Sequence, residues 1–238
     1  MELKLDLHIH SCRSPDGRMR LEEIVSRARA AGLRGAAVCD HDLVLTDPPE
    51  FPDFLLIPGV EVSTVEGHLL GLFVTAPVET KDFRQAAEAI RAQGGLAVLA
   101  HPFEHLREGS RLLPLVPCLD GVEVWNSRAE RKNPHANAMA AEFAAAHGLR
   151  PFAGSDAHVP QEVGAGYVTV EAEALTPEAV KAALLAGNAR ASGRRSPARY
   201  AAASQLAKRK KSGASPASYL KWALFALKCC AQDLLNRS

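Results

Sequence analysis

The stretch LKLDLHIHS, residues 3–11, decides how the rest of the sequence is interpreted. Leucines alternate with polar residues through most of it, which is the pattern of a strand with one buried face. Side chains two residues apart on a strand point the same way, so His8 and His10 share a face. Two imidazoles at this spacing can hold one cation, although two surface histidines on an edge strand give the same pattern.

The length and composition of the chain are those of a globular protein. Its 238 residues, 47% of them hydrophobic, suffice for one large α/β barrel or for a smaller domain with an extension. The five cysteines lack metal-type spacing, and two of them are adjacent, so we expect reduced thiols in a cytoplasmic protein. We see no signal peptide and no apolar run of the ~18 residues that a membrane helix needs.

Charge is distributed unevenly along a chain whose net charge is only +1. Residues 189–238 contain eleven Lys and Arg and one Asp, a net charge of +10. Residues 1–188 contain seventeen basic and twenty-six acidic residues, a net charge of −9. The sequence therefore predicts an acidic body followed by a basic tail.

Short apolar strands alternate with helical segments through residues 1–190, which favours parallel βα units. We expect strands at 3–11, 35–40, 54–62, 68–74, 96–102, 121–127, 149–158 and 166–171, and helices near 21–31, 80–94, 134–147 and 176–188. Several histidines and acids directly follow the apolar runs. In an α/β barrel the carboxyl ends of the strands converge on one face, so these side chains should meet there.

Six of the nine histidines and three acids are candidate metal ligands. They are His8, His10, Asp16, His41, Glu61, His68, His101, Asp156 and His158. A mixture of imidazole and carboxylate suits Zn²⁺, Mn²⁺ or Fe²⁺. Nine ligands are too many for one ion and enough for two or three, and a carboxylate such as Glu61 can bridge two ions.

Seven motifs, in the order DLHIHS, CDHD, PGVEVS, HLLGLF, AHPF, GVEVWN and GSDAH, resemble those of the PHP (polymerase and histidinol phosphatase) family. The resemblance covers roughly residues 5–170. It implies an α/β fold, a distorted (β/α)7 TIM-like barrel, with a trinuclear metal site for phosphoester hydrolysis. We expect a PHP domain at 1–190, a basic Ser/Ala-rich linker at 191–215 and a C-terminal helix at 216–238.

The resemblance also implies which ligands share an ion. The first metal would be held by His8, His10 and Asp156, the second by His68 and His101, and the third by Asp16, His41 and His158, with Glu61 bridging the first two. The expected catalytic residues among them are Glu61, Asp156 and His158.

A charge count favours a phosphate substrate independently of the resemblance. Three divalent ions and three acidic ligands leave a surplus of about +3, which favours a dianionic phosphate over a neutral amide. A metal-bound water, whose pKa is drawn toward ~7, supplies hydroxide for in-line attack on phosphorus. Arg13 and Arg128 are candidates for binding that phosphate, although solvated loop arginines give the same pattern. We expect a small phosphomonoester or a nucleotide or oligonucleotide phosphodiester as substrate.

Two other classes of function remain open at this point. A metal-dependent C–N hydrolase on a similar barrel also begins with H-x-H, but it usually needs a bridging Lys, and no lysine lies at a strand end. A non-catalytic metal-binding module, recruited through its basic tail, is the other class. The complete set of nine ligands argues against that second class.

The basic tail has three interpretations. KRKK occupies 208–211, and Leu220, Leu224, Leu227 and Leu234 recur beyond it at helical spacing. This segment is a helix docked on the acidic barrel, an amphipathic helix for a partner or a membrane surface, or a weak contact to nucleic-acid backbone.

Overall fold

The computed structural model describes residues 1–106 and 108–235, which form nine strands and six α-helices. The strands are β1 (Glu2–Ile9), β2 (Gly35–Val38), β3 (Leu55–Ser63), β4 (His68–Leu72), β5 (Leu96–Leu99), β6 (Gly121–Asn126), β7 (Arg150–Gly154), β8 (Gly166–Glu171) and β9 (Arg190–Gly193). The helices are α1 (Leu21–Ala30), α2 (Phe83–Ala92), α3 (Ala136–Ala146), α4 (Pro177–Leu185), α5 (Ala198–Lys211) and α6 (Pro216–Leu235). No helix among these residues is long and apolar enough to cross a bilayer.

The nine strands form one sheet in the order β7-β6-β5-β4-β3-β2-β1-β8-β9. The sheet curls until the segment after β7 meets β1, where Ile9 and Ala157 form a parallel bridge. At this seam the Asp156 amide donates to the His8 carbonyl, and the His10 amide donates to the Ala157 carbonyl, each at 2.8 Å. The result is a nearly closed barrel, which confirms the expected distorted α/β barrel.

Strand β4 runs against its neighbours, which departs from the expected run of parallel βα units. Only four residues separate β3 from β4, and the Thr64 amide donates to the Gly67 carbonyl at 3.0 Å within this turn. A connection this short cannot make a parallel crossover, so β4 must return antiparallel. The reversal pairs His68 with Ser63 and places the first residue of β4 beside the last residues of β3.

Amphipathic helices cover the barrel and fix the strands beneath them. In α2 the residues spaced three and four apart are buried, namely Phe83, Ala86, Ala87 and Ile90. Helix α4 begins as the sequence predicts: the Thr176 hydroxyl accepts from the Ala179 amide at 3.3 Å, with Pro177 in the first helical position. These packed helices hold the strand ends that carry the candidate ligands.

The segment 191–215, expected to be a linker, is mostly regular structure. Strand β9 pairs antiparallel with β8, and helix α5 has a face of small buried side chains, Ala198, Ala201, Ala202 and Ser204. The Ala- and Lys-rich composition that resembled a linker is also that of a good helix former, and small residues allow close packing. This is a correction to the expected linker. The domain boundary at residue 190 stays a prediction, as does helix beyond Leu235, because 236–238 lie outside the described residues.

Candidate metal centre

The structure brings all nine predicted ligands together at one end of the barrel. They come from β1 and the loop after it, from the segments after β2, β5 and β7, from β3, and from the first residue of the reversed strand β4. Neighbouring imidazole rings lie 4.1–6.0 Å apart between centroids. The convergence expected from strand ends is therefore what this fold produces.

Glu61 on β3 is the centre of the cluster, with only 1% of its surface exposed. Its Oε1 lies 2.6 Å from His68 Nδ1 and 3.0 Å from His101 Nε2. Its Oε2 lies 2.9 Å from His41 Nδ1, 3.3 Å from His10 Nε2 and 3.5 Å from His8 Nε2. Each oxygen thus faces a different group of imidazoles, which is the arrangement that a bridging carboxylate requires.

The H-x-H pair and Asp156 form one compact group beside Glu61. His8 Nε2 and His10 Nε2 are 3.1 Å apart, and Asp156 Oδ1 lies 3.3 Å from His10 Nε2 and 3.8 Å from His8 Nε2. Three ligand atoms this close can hold one metal ion. Asp156 is also held at a φ of 55°, and His101 at 27°. Non-glycine residues seldom adopt these values, and they concentrate at functional sites.

Asp16, His41 and His158 form a second group that adjoins the first, since the His10 ring lies 4.5 Å from that of His41 and 4.1 Å from that of His158. Asp16 Oδ1 lies 3.4 Å from His158 Nε2 and 3.7 Å from His41 Nε2. His158 Nδ1 lies 2.8 Å from the backbone carbonyl of Asp156 and 2.8 Å from Arg128 Nη1. A neutral imidazole carries one proton. Nε2 is free to bind a metal only if that proton is on Nδ1, where it is donated to the carbonyl.

Glu123 on β6 orients the imidazole of His8. Its Oε1 lies 3.0 Å from His8 Nδ1, and its Oε2 accepts from the His101 amide and from Asn126 Nδ2 at 2.9 and 3.0 Å. When Glu123 accepts a hydrogen bond from Nδ1–H, Nε2 of His8 is left for a metal, and such carboxylate–histidine pairs tune metal affinity. From the sequence alone, Glu123 and Asn126 could have had either this supporting role or a purely structural one.

Replacing Glu123 by Gln should weaken metal binding by roughly 10- to 100-fold, because the neutral amide no longer holds His8 in one tautomer. Competition with a chelating dye measures the affinity. The matched control is Glu142→Gln on the exposed face of α3, which should bind metal like the parent chain. Unchanged affinity in Glu123→Gln would show that the carboxylate does not tune the site.

The pKa values of several histidines are raised in this cluster. Burial opposes protonation of His8, but the surrounding carboxylates, Glu123 first, outweigh it and raise its pKa well above the usual value. Burial likewise opposes protonation of His10 and His101, and contacts with buried carboxylates raise both pKa values to about 9. The raised pKa values favour protonated imidazoles when no metal is bound, so metal binding at neutral pH competes with protons.

The pKa values of two carboxylates and of His158 are lowered in this cluster. Burial opposes ionisation of Glu61 and Asp156, yet the nearby histidines, His8 first, hold both pKa values well below the usual range. Burial and then the Arg128 guanidinium lower the pKa of His158 to about 4. At pH 7 the cluster therefore contains anionic carboxylates and a neutral His158, which are the protonation states that metal binding requires.

The metal-free chain should lose stability as the pH rises from about 6.5 to 9. The folded-state pKa values of His10 and His101 lie above the unfolded value of 6.5, so their contribution is fully present below 6.5 and disappears as pH rises through about 9. Urea unfolding in chelator measures the free energy. With excess divalent metal the trend should reverse, because deprotonation favours binding. A metal-free curve that rises toward pH 9 would contradict this assignment.

Two acids outside the ligand set hold the loops of the centre. Asp6, on the same strand face as His8, is fully buried; its Oδ1 accepts from the Ser155 amide and its Oδ2 from the Gly164 amide, each at 2.9 Å. Burial raises the pKa of Asp6 to about 7. Asp40 accepts from the amide and hydroxyl of Ser11 at 2.7 and 2.6 Å, so it holds a loop and does not orient an imidazole.

The cluster opens into a cleft of ≈ 520 Å³ whose rim is cationic. Arg128, Arg131, Lys132 and Arg209 line it together with one acid, Glu104, and seven of the nine candidate ligands, all but His8 and His10. Arg128 is fixed by three contacts: Nε to Glu162 Oε1 at 2.9 Å, Nη1 to His158, and Nη2 to Ser204 Oγ at 3.0 Å. Arg13 is exposed and is not among the described residues that line the cleft, so the structure does not bring this predicted phosphate-binding residue to the site.

Helix α5 forms one wall of this cleft, which the sequence did not predict. Ser204, Gln205 and Arg209 line the cleft from α5. At the end of the helix, Lys211 Nζ donates to the carbonyls of Cys12, Ser14 and Gly17 at 2.8, 2.7 and 2.8 Å. The basic segment therefore clamps the loop that carries Asp16.

The chemistry of the donor atoms fits divalent metals. Asp16 Oδ1 and Glu61 Oε2 are buried and make no hydrogen bond of acceptable geometry within the described residues, although imidazole nitrogens face them at 3.4 and 2.9 Å. An ionised carboxylate oxygen is costly to bury unless a proton donor or a cation faces it. Imidazole nitrogens and carboxylate oxygens together are the ligands of Zn²⁺, Mn²⁺ and Fe²⁺, so a cation is the group that this cluster accommodates.

Comparison with known proteins identifies related sequences. The family model described as PHP domain matches residues 6–145, and the one described as PHP-associated matches residues 134–189. The chain is 32% identical over 179 residues to an uncharacterized protein of Methanocaldococcus jannaschii, covering 70% of each. It is 43% identical over 81 residues to a 5'-3' exoribonuclease of Haemophilus influenzae, covering 30% of this chain and 29% of the relative.

A solved structure from Bacteroides vulgatus shares the fold. It is a two-domain protein containing a predicted PHP-like metal-dependent phosphoesterase, with a TM-score of 0.65 and 21% sequence identity. The match covers 82% of this chain and 65% of that one. With a PHP-domain match over more than half of its length and a barrel that gathers nine candidate metal ligands at one mouth, the chain belongs to the PHP family and has the fold of its metal-dependent phosphoesterases.

Proposed function

We propose that the chain hydrolyses phosphoesters with two or three divalent ions, Mn²⁺, Zn²⁺ or Fe²⁺, bound at this centre. The observation that carries the proposal is the buried Glu61 carboxylate, whose two oxygens face separate groups of imidazoles within 3.5 Å. The ligand groups would be His8, His10 and Asp156; His68 and His101; and Asp16, His41 and His158; with Glu61 shared.

Each side chain has a task in such a reaction. Bound divalent ions supply Lewis acidity and lower the pKa of a coordinated water. Glu61 and Asp156 stay ionised at neutral pH and neutralise part of the metal charge. His158 stays neutral, because its pKa is lowered to about 4, and so is able to ligate. These three are the residues that we assign to catalysis.

The rim of the cleft favours a phosphorylated substrate. Arg128 donates through Nε to Glu162 and through Nη2 to Ser204, and the guanidinium held in this way lines the cleft beside the ligands. Arg131 lies 5.8 Å from the Phe225 ring at the same rim. A cationic rim with an aromatic side chain suits nucleotides or oligonucleotides, since phosphates and bases are then both accommodated. The exoribonuclease relative supports the same class.

A C–N hydrolase would use a lysine at the bridging position. Here the bridging position holds Glu61. In the described part of the chain Lys132 is the one lysine that lines the cleft, where it pairs with Glu104 at 2.9 Å. The ligand chemistry therefore favours phosphoester hydrolysis over C–N hydrolysis.

The test is a screen with Mn²⁺, Zn²⁺ and Fe²⁺ against p-nitrophenyl phosphate, bis-p-nitrophenyl phosphate and short oligonucleotides. We expect metal-dependent turnover that His10→Ala abolishes and that His135→Ala, at an exposed histidine, leaves unchanged. Equal turnover by His10→Ala, or none with any metal and substrate, would refute the hydrolase proposal. Metal binding without turnover would favour the non-catalytic module.

A further inference from the structure

Helix α6 buries one face and exposes another that is made of leucines. The buried face packs on α5: the Trp222 indole donates to the Ala202 carbonyl at 2.8 Å, and Cys229 is 2% exposed. The opposite face has Leu220, Leu224, Leu227 and Leu234, which are 64–68% exposed. We call these four residues the leucine face. Nine large hydrophobic side chains are exposed in the described residues, and four of them belong to this face.

Rotation of α6 about its own axis cannot bury the leucine face. Asp233 on α6 accepts from the amides of Ala198 and Arg199 at the start of α5, at 2.6 and 3.1 Å. The Arg199 guanidinium also donates to Asp233 at 3.1 Å. Together with the Trp222 hydrogen bond, these contacts fix which side of α6 faces α5. The leucines therefore point away from the protein because of specific contacts.

The charges beside the leucine face are all positive. Lys221 and Lys228 are exposed along one edge of it, about 80–100° around the helix from Leu220 at 100° per residue. Lys208 and Lys210 are exposed on the neighbouring helix α5. The only acid in residues 198–235 is Asp233, which is turned toward α5. The surface is an apolar stripe with a cationic edge and no exposed acid.

We propose that α6 lies on an anionic membrane surface, with the leucine face at the acyl boundary and the lysines among the headgroups. An amphipathic helix with this pairing of apolar area and flanking Lys binds in the plane of the interface. Anionic headgroups complement the lysine edge. The proposal is independent of the hydrolase function, because it uses none of the metal ligands.

Two other occupants fit the charges less well. The leucine spacing of four and three residues also suits a coiled coil with a second copy of the chain. The flanking positions would then bring Lys221 and Lys228 of each copy beside the other helix, where no acid is available to pair with them. Nucleic acid would be attracted by the lysines but would leave the leucines in water.

The test measures co-sedimentation of the full chain with vesicles of phosphatidylcholine alone and of phosphatidylcholine mixed with phosphatidylglycerol. Chelator is present, so that the metal centre cannot bind lipid phosphate. We expect binding to the anionic vesicles that weakens with salt and is at least about tenfold weaker on neutral vesicles. Lys221→Glu with Lys228→Glu should reduce binding to the anionic vesicles by a similar factor.

The variant that tests the apolar contact is the triple Leu220→Ser, Leu224→Ser, Leu227→Ser, which should abolish sedimentation. Its matched control substitutes exposed residues elsewhere, Leu43→Ser, Val65→Ser and Leu113→Ser, and should bind like the parent chain. Circular dichroism checks that both variants stay folded. Equal binding to both vesicle types, or none to either, would overturn the proposal. The proposal would also be overturned if the chain did not bind vesicles but formed a dimer in light scattering or was retained on duplex DNA.

Discussion

Glu61→Gln should bind at least one metal ion fewer than the parent chain, and its kcat/KM should fall by more than about 100-fold. Residues that only orient a metal ligand typically change metal affinity or activity by 10- to 100-fold. Glutamine keeps the shape of the side chain and removes its charge. In the parent chain both carboxylate oxygens lie within 3.5 Å of imidazole nitrogens. An amide cannot present two anionic oxygens to two ions, so the shared ligand would be lost.

The measurement combines metal content per chain, determined by elemental analysis, with turnover of the best substrate from the screen. Glu66→Gln is the matched control, because Glu66 is exposed in the turn five residues further along. It should retain both metal and activity. A Glu61→Gln variant with full metal content and full activity would show that the carboxylate does not bridge metals.

The convergence of the candidate ligands was predictable from the sequence because it depends on two simple rules. Period-two alternation places His8 and His10 on one face, and their Nε2 atoms are 3.1 Å apart. The rule that strand ends converge brought His41, His101 and His158 to the same mouth. His68 needed a further step, since it begins its strand. Its position follows once the short turn at 64–67 reverses β4.

Asp6 shows a signal that was present in the sequence and was not used. The alternation that pairs His8 with His10 also places Asp6 on their face, two residues earlier. An acid there, in a strand of otherwise buried residues, must find partners. It finds the amides of Ser155 and Gly164, which lie in the segment between β7 and β8. The partners themselves are about 150 residues away, and no local pattern identifies them.

The contribution of α5 to the cleft was not predictable from composition. Lys, Arg, Ser and Ala in residues 191–215 favour either a solvated linker or a helix, and only the barrel surface decides between them. Small side chains at Ala198, Ala201 and Ala202 allow α5 to approach closely, and Lys211 fixes its end on three carbonyls. Such contacts join residues nearly 200 positions apart, beyond the reach of periodicity.

Arg128→Met should destabilise the fold by about 3–5 kcal/mol at pH 8, because it breaks a buried ion pair. The Arg128 side chain is 12% exposed and Glu162 is fully buried, with Nε and Oε1 2.9 Å apart. Burial already raises the pKa of Glu162 even with the arginine present. Without Arg128 the Glu162 carboxylate would have no opposite charge, and Ser204 on α5 would lose its link to the barrel.

The pH dependence of this variant follows from Glu162. A carboxyl whose folded-state pKa lies above its unfolded value favours folding below the unfolded value, and this contribution is lost as pH rises through the folded value. The stability deficit of Arg128→Met should therefore be smaller at pH 5 than at pH 8. Adding Glu162→Gln should recover most of the loss, because it removes the unpaired charge and keeps the acceptor for the His158 amide.

Urea unfolding at both pH values gives these free energies, and Arg199→Met is the comparison. Arg199 forms an ion pair with Asp233 but is 38% exposed, so its loss should cost no more than about 1 kcal/mol. If Arg128→Met cost as little as that, the guanidinium would not be the partner that keeps Glu162 ionised. If the deficit were real but unchanged by Glu162→Gln, it would come from lost packing of α5 and not from the buried charge.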